Sequence, residues 1–410
     1  MPAEAAGRPI SARTLPILAL LMAFGPMSTD MYLPAMPAMA AALGATDARL
    51  QLTVSSFLIG FGLGQLLWGP VGDRYGRRIP AAIAVLLFLA GTAGCALSTS
   101  VEQMIGWRAV QALGACAGPV LARAMVRDLY EREEVARALS TLMLVLGVAP
   151  LLAPILGGQI LVFAGWQAIF WSLLLFGAAA LIGLALLPET LPAQHRASLK
   201  PQDVALGYLG LLASKRFLGP ALAGGLFYGG VFTYLAGSPF AYVAYYHVPA
   251  ELYGLLFAVN ICGMIACNLV NRRLVPRLGA ERLLRFGLGI AALAALALAL
   301  AGHTGLGGLA GLAVPMFVFV GMLGFISANS MGLALAAWPQ RAGTASALAG
   351  AMQFGLGALC SALLGPLFDG TPWPMTLVLA LASLAALAVV SVLRPAAAPE
   401  PRALLKMAGR

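Results

Sequence analysis

Two charged side chains stand where an apolar chain should carry none. Asp30, in the stretch MSTDMYLPAMPAM, and Arg108, in GWRAVQALGA, lie well inside long apolar runs. The rest of the 25 basic and 15 acidic residues fall in loops, in tails or at the ends of runs. A charge at the centre of a bilayer costs about 2.5–3.5 kcal/mol on insertion scales, so a membrane helix keeps one only where it faces protein or water. Burial disfavours the ionised form of a carboxyl and a nearby guanidinium favours it, so a small movement between such groups can load or release a proton near neutral pH. The pair therefore reads either as a proton-exchanging acid tuned by a basic partner or as a structural ion pair between two helices.

Each has a suggestive neighbourhood. Met27, Asp30, Pro34 and Pro37 follow spacings of three and four, one helix face, and the prolines are expected to free backbone carbonyls that line a cavity. Arg108, Gln111 and Ala115 form a narrow polar stripe, expected to face an aqueous pathway. Further along, Phe227, Tyr228, Phe232 and Tyr234 offer aromatic faces, and Asn260, Asn329 and Gln353 offer amides. With Met27 they make a candidate substrate cavity, although ordinary helix packing accounts for any one of them as well. His195, His247 and His303 are not spaced as metal ligands, and no GxxxxGK[ST] occurs. No cofactor or metal is expected, and no ATP-driven engine of that type.

The elements that must position these residues are membrane helices. Hydrophobic residues make up 61% of the 410 and charged ones 10%, with a mean hydropathy of +0.90. That balance excludes an ordinary soluble domain. Runs long enough to cross a bilayer of about 30 Å recur at 15–39, 50–71, 79–98, 102–124, 139–163, 166–187, 217–244, 252–274, 281–301, 307–336, 343–368 and 373–393. They are too long, and too little alternating, for barrel strands, and the first is too long and too well followed to be a cleaved signal peptide. With both termini placed in the cytoplasm, every lysine and arginine except Arg49 and Arg108 falls on an inner loop or tail. The net charge of +10 is then a topology signal, and nucleic acid need not be a partner. Cys95, Cys116, Cys262, Cys267 and Cys360 all fall in runs and read as small packing residues.

The chain divides into a tail (1–14), six helices (15–187), a cytoplasmic linker with prolines and scattered charge (188–216), six more helices (217–393) and a second tail (394–410). The halves echo one another: DRYGRRIP after run 2 answers PRLGAERLL after run 8, and GWQAIFWSLLL at run 6 answers PWPMTLVLAL at run 12. Such duplication suits a transporter that rocks two halves about a central site.

Between runs 2 and 3 stands GPVGDRYGRRIP, with Gly69, Asp73, Arg74, Gly76, Arg77 and Arg78. Its glycines permit a tight turn, its arginines anchor the inner side, and Asp73 is expected to accept from a neighbouring helix N-terminus as a latch. A solvated basic turn is the plainer reading. The motif resembles the signature loop of the major facilitator superfamily. Arg108, Gln111 and Gly114 resemble that superfamily's second motif, linked to proton transfer. GVAPLLAPILGG, with Gly147, Pro150, Pro154, Gly157 and Gly158, resembles its antiporter motif, except that Ala153 stands where Gly is usual. DMYLPAMP, VRDLYEREEVARALS and GSPFAYV resemble the Bcr/CflA drug:proton antiporters over essentially the whole chain.

The resemblance implies an all-α integral membrane protein of the major facilitator fold, twelve transmembrane helices in two pseudo-symmetric six-helix bundles. It implies a monomeric exporter in the bacterial inner membrane, moving small amphipathic drugs of bicyclomycin or amphenicol type against protons, with Asp30 as the proton and substrate-competition site, Arg108 as its partner and no enzymatic chemistry. A metabolite transporter of the same fold, and a non-transporting membrane receptor or scaffold, are the competing readings.

Overall fold

The computed structural model describes residues 13–130, 132–196, 201–336, 338 and 342–393. Twelve helices among them are long and apolar enough to cross a membrane. Spans 1 to 6 are Thr14–Ala42, Asp47–Tyr75, Arg78–Ala96, Val101–Leu129, Arg137–Ala164 and Trp166–Ala185. Spans 7 to 12 are Lys215–Tyr245, Ala250–Leu278, Ala280–Thr304, Gly308–Ala336, Gly343–Leu367 and Trp373–Val392. Several outrun the apolar stretches at their arginine-bearing ends, because backbone hydrogen bonding carries a helix past the hydrocarbon layer that hydropathy detects.

The packing repeats with a period of six spans. Span 1 packs on spans 4, 5 and 6, span 2 on 4, and span 3 on 4 and 6. In the second half, span 7 packs on 10, 11 and 12, span 8 on 10, and span 9 on 10 and 12. The halves meet where span 2 lies along span 11 and span 5 along span 8. Large apolar side chains such as Leu63, Leu175, Leu293 and Val392 point outward, as lipid-facing positions do, since a bilayer removes the penalty for exposing them.

Two local features depart from simple rods. Span 1 is helical over Thr14–Asp30, turns through Met31 and Tyr32, makes a 3₁₀ turn at Leu33–Ala35 and resumes at Met36–Ala42. Pro34 and Pro37 sit in the first turns of the two short pieces, where a missing N–H costs nothing. The carbonyl-lined cavity expected from these prolines therefore does not form. They restart helices in a packed break, and residues 28–36 are buried throughout. The connection between the halves is also not wholly loose: Pro201–Leu212 is a helix whose Leu211 packs with Phe217, Ala221 and Leu348.

Candidate functional site

Arg108 is fully buried inside the first half. Its guanidinium carbon lies 4.2 Å from the ring centre of Tyr32 and 4.3 Å from that of Phe57. A planar, delocalised cation suits such a slot, since each ring face attracts it while displacing water. Nη1 donates to the Ser28 carbonyl at 2.9 Å and to Gln111 Oε1 at 2.6 Å. Gln111 Nε2 in turn donates to Thr92 Oγ1 at 2.8 Å, and the Thr92 hydroxyl donates to the Phe88 carbonyl at 2.6 Å. The polar stripe of span 4 thus points into the packed core of its own half, not into water: Gln111, like Arg108, has no exposed surface. Gly114, one turn on, lets span 3 approach so closely that a Cβ there would overlap the backbone of Ala84 and Phe88.

Asp30 closes the first helical stretch of span 1 and is 5% exposed. It lies within electrostatic reach of Arg108 on one side and of Tyr234 and Tyr253, both of the second half, on the other. Yet no ion pair joins Asp30 to Arg108. The ion pairs among the described residues are Arg49–Glu102, Arg77–Asp73, Arg77–Asp128 and Arg285–Glu281. Of the two readings, the structural ion pair is not the one formed: Arg108 instead grips the backbone of span 1 at Ser28, two residues before the carboxylate. Nε and Nη2 of Arg108 remain without an acceptor.

Span 5 supplies the floor under this break. A Cβ on Gly157 would collide with the Met31 carbonyl, and one on Gly158 would stand 2.9 Å from the Ala250 carbonyl of span 8. Glycine is required at both places by close backbone approach, so one turn of span 5 touches span 1 beside Asp30 and the start of span 8 together. Gly254 answers from span 8, its missing side chain leaving room for Pro154 and Ile155. Ala153 is fully buried, Pro150 is half-buried, and Gly147 has open space beside it.

The other candidates separate. Tyr234 accepts from Asn260 Nδ2 at 2.9 Å, and Asn260 also lines a pocket of about 280 Å³ with Tyr242, Leu256 and Phe317. Phe232 packs at a tilt against Phe354, their ring centres 5.2 Å apart, and Phe354 stacks on Phe61 of the first half at 4.4 Å, an aromatic seam between the halves. Met27 is half-buried and Gln353 is 9% exposed. Asn329 is not free to meet a ligand: its Nδ2 donates to Asn271 Oδ1 at 2.7 Å and to the Phe325 carbonyl at 2.8 Å, tying span 10 to span 8. The Tyr228 hydroxyl pairs with Ser327 at 3.0 Å and does the same for spans 7 and 10.

At the arginine-rich end, Arg77 Nη1 meets Asp73 Oδ1 at 2.6 Å and Nε meets Asp128 Oδ2 at 2.9 Å. The carboxylate at a helix N-terminus is Glu189, not Asp73: it accepts the backbone N–H groups of Arg77 (2.7 Å) and Arg78 (3.2 Å) as span 3 begins. Gly76, at φ 94°, makes the turn, and a Cβ there would strike Glu189. Arg78 Nη2 donates to the Ala185 carbonyl at 2.7 Å, Arg74 lies over the Tyr75 ring, and Gly69 has open space beside it. The cluster clamps spans 2, 3, 4 and 6 into one rigid half. Asp128 and Glu189 escape sequence reasoning because they lie far along the chain. The only signal for Glu189 is its place between Pro188 and Pro192, which stiffen the turn.

Burial pushes the Glu189 carboxyl up, but the N–H groups of Arg77, Leu191, Arg78 and Thr190 outweigh it and hold it below the usual glutamate range. A depressed folded-state value gives stability that is full above the unfolded value and is lost as pH falls through the folded one. Glu189→Gln is therefore expected to lower the melting temperature at pH 7, by the equivalent of about 1 kcal/mol for a lost cap. The gap to wild type shrinks as pH falls below the unfolded glutamate value of about 4.3 and closes once the folded value is passed. Melting curves across pH check this, and a gap that does not shrink at all as pH falls would show that charge is not the cause.

Comparison with known proteins adds a family. Residues 18–359 match the model described as Major Facilitator Superfamily. A bicyclomycin resistance protein homolog of Haemophilus influenzae is 36% identical over 382 residues, 93% of this chain and 94% of that one. A chloramphenicol resistance protein of Pseudomonas aeruginosa is 32% identical, over 89% and 86%. In fold the chain is similar to the xylose transporter XylE of E. coli in a partially occluded inward open conformation, with a TM-score of 0.72, 16% identity and coverage of 93% and 97%.

Proposed function

This chain belongs to the Major Facilitator Superfamily, and from that membership we propose that it is a proton-coupled efflux antiporter for small amphipathic drugs of the bicyclomycin and amphenicol type. It works in the inner membrane of a bacterium as a monomer, with both termini in the cytoplasm. One observation carries the reading: among the described residues one buried acid stands at a helix break between the two halves, with a buried arginine holding the same break from behind. Relatives named for bicyclomycin and chloramphenicol resistance support the substrate class.

Drug enters from the cytoplasm or inner leaflet while Asp30 gives up its proton. Ionised, the buried carboxylate is drawn toward the guanidinium, whose Nε and Nη2 have donors to spare. That draw acts on the turn at Met31 and Tyr32, which span 5 touches through Gly157, and so reaches the seam between spans 5 and 8. Outward release of drug and reprotonation from the outer side reset the protein. The proton gradient supplies the energy, and no cofactor takes part.

The test is accumulation of a drug panel, chloramphenicol and bicyclomycin included, in inside-out vesicles under an imposed pH gradient. At least one drug should accumulate and release when the gradient is collapsed. Accumulation of no drug, with uptake of a sugar or amino acid instead, would move the assignment to a metabolite carrier.

A further inference from the structure

A cavity shared by both halves lies at the end of the bundle away from the arginine-rich loops, some distance along the helices from the Gly76 turn. It measures about 490 Å³ and is walled by both halves: Asp47 and Gln51 at the start of span 2 in the first, and Phe240, Tyr245, Phe368 and Thr371 in the second. That size lies within the range of small-molecule sites.

Its chemistry is one-sided. Gln51, 2% exposed, lines this space, and its buried Oε1 has no hydrogen-bond partner. A buried acceptor left unpaired is costly, so a donor supplied there is favourable. Asp47 adds a carboxylate on the same helix face, one turn away. The Thr371 hydroxyl donates to Asp369 Oδ1 at 2.7 Å and accepts the Trp373 N–H at 3.2 Å, so it offers the cavity no donor. Among the described lining residues there is no lysine or arginine, and nearby Arg49 is tied to Glu102 at 2.9 Å, while His247 sits on the rim. Phe240 and Phe368, edge to face at 6.4 Å, and Tyr245 supply aromatic faces that attract cations. The wall at Phe240–Tyr245 is a π-helical turn, a wound-out geometry that recurs at functional sites.

We propose that this cavity is a second ligand site, distinct from the Asp30–Arg108 region, that takes a protonated primary or secondary amine carried on an aromatic body, its N–H donors on Gln51 Oε1 and Asp47 and its ring among Phe240, Tyr245 and Phe368. Such a molecule touches both halves at once and stabilises the arrangement that contains the pocket. The site stands on its own residues, so it holds whether or not the transported drug is of the class proposed above.

The test is equilibrium binding, by calorimetry, of 1-naphthylmethylammonium to the full chain in nanodiscs of neutral phosphatidylcholine. Its neutral analogue 1-naphthylmethanol is the control. The amine is expected to bind at least about tenfold more tightly than the alcohol, the factor a hydrogen bond to a charged group provides. Asp47→Asn and Gln51→Leu should each weaken it by about tenfold. Gln51→Glu should tighten binding, an outcome that misfolding cannot produce. Equal affinity for amine and alcohol, indifference to both Asp47→Asn and Gln51→Leu, or weaker binding in Gln51→Glu would each overturn the proposal.

Discussion

Asp30→Asn is expected to abolish gradient-driven accumulation in inside-out vesicles while leaving a folded protein that still binds drug. The amide matches the carboxyl in size and is always neutral, so in a site only 5% exposed it packs at little cost. What it cannot do is exchange a proton. Transport that consumes the gradient should fall to simple equilibration, whereas drug-for-drug exchange, which needs no net proton movement, should persist. The measurement is uptake with and without an imposed pH gradient, beside binding of the same drug to purified protein. Uptake by Asp30→Asn that still follows the gradient as in wild type would remove Asp30 from the coupling mechanism. It would leave the acid a structural role, as the receptor or scaffold reading requires.

The second large effect is expected at Arg108, and it separates charge from shape. Arg108→Lys keeps the charge but loses the planar cation held between Tyr32 and Phe57, and its shorter chain places the ammonium short of the point from which Nη1 donates to both the Ser28 carbonyl and Gln111 Oε1. Hydrogen bonds to a charged group contribute about 1.5–3 kcal/mol each, so loss of one corresponds to roughly tenfold or more in gradient-driven transport. Stability should respond differently. A buried cation with no ion pair, two of whose nitrogens lack acceptors, is a poor source of stability, so Arg108→Met should melt at or above the wild-type temperature while transporting nothing. If Arg108→Lys transports as wild type does, position within the aromatic slot is irrelevant to coupling. If Arg108→Met fails to fold, the arginine is a structural keystone.

These expectations differ from those that an Asp30–Arg108 ion pair would give. In a direct pair, removing either partner strands the other, and the double substitution should restore what each single one loses. In the arrangement observed, Arg108 is anchored to the backbone at Ser28 whatever Asp30 does, so no such restoration is expected.

How much was legible without coordinates can be argued residue by residue. Twelve helices, two halves and the membrane itself follow from run length and composition, because hydrocarbon admits only segments that satisfy their own backbone. The isolation of Asp30 and Arg108 is likewise a fact of sequence, since a membrane punishes every charge without a purpose. Contact is another matter. The slot around Arg108 draws on Tyr32 of span 1 and Phe57 of span 2, and nothing in their local pattern distinguishes them from other aromatic residues. Glu189 reaches Arg77 across 112 positions of chain, and the role assigned to Asp73 passed to it because helix ends meet only after the bundle closes. Pro34 and Pro37 looked like cavity makers and turned out to start two short helices, since proline's effect depends on where in a turn it falls. Asn329 was claimed by Asn271, a neighbour that periodicity cannot name. The sequence by itself thus determined which residues are too costly to be accidental. Only the tertiary structure decided what they touch, because hydropathy is a property of each residue and contact is a property of pairs brought together from distant turns.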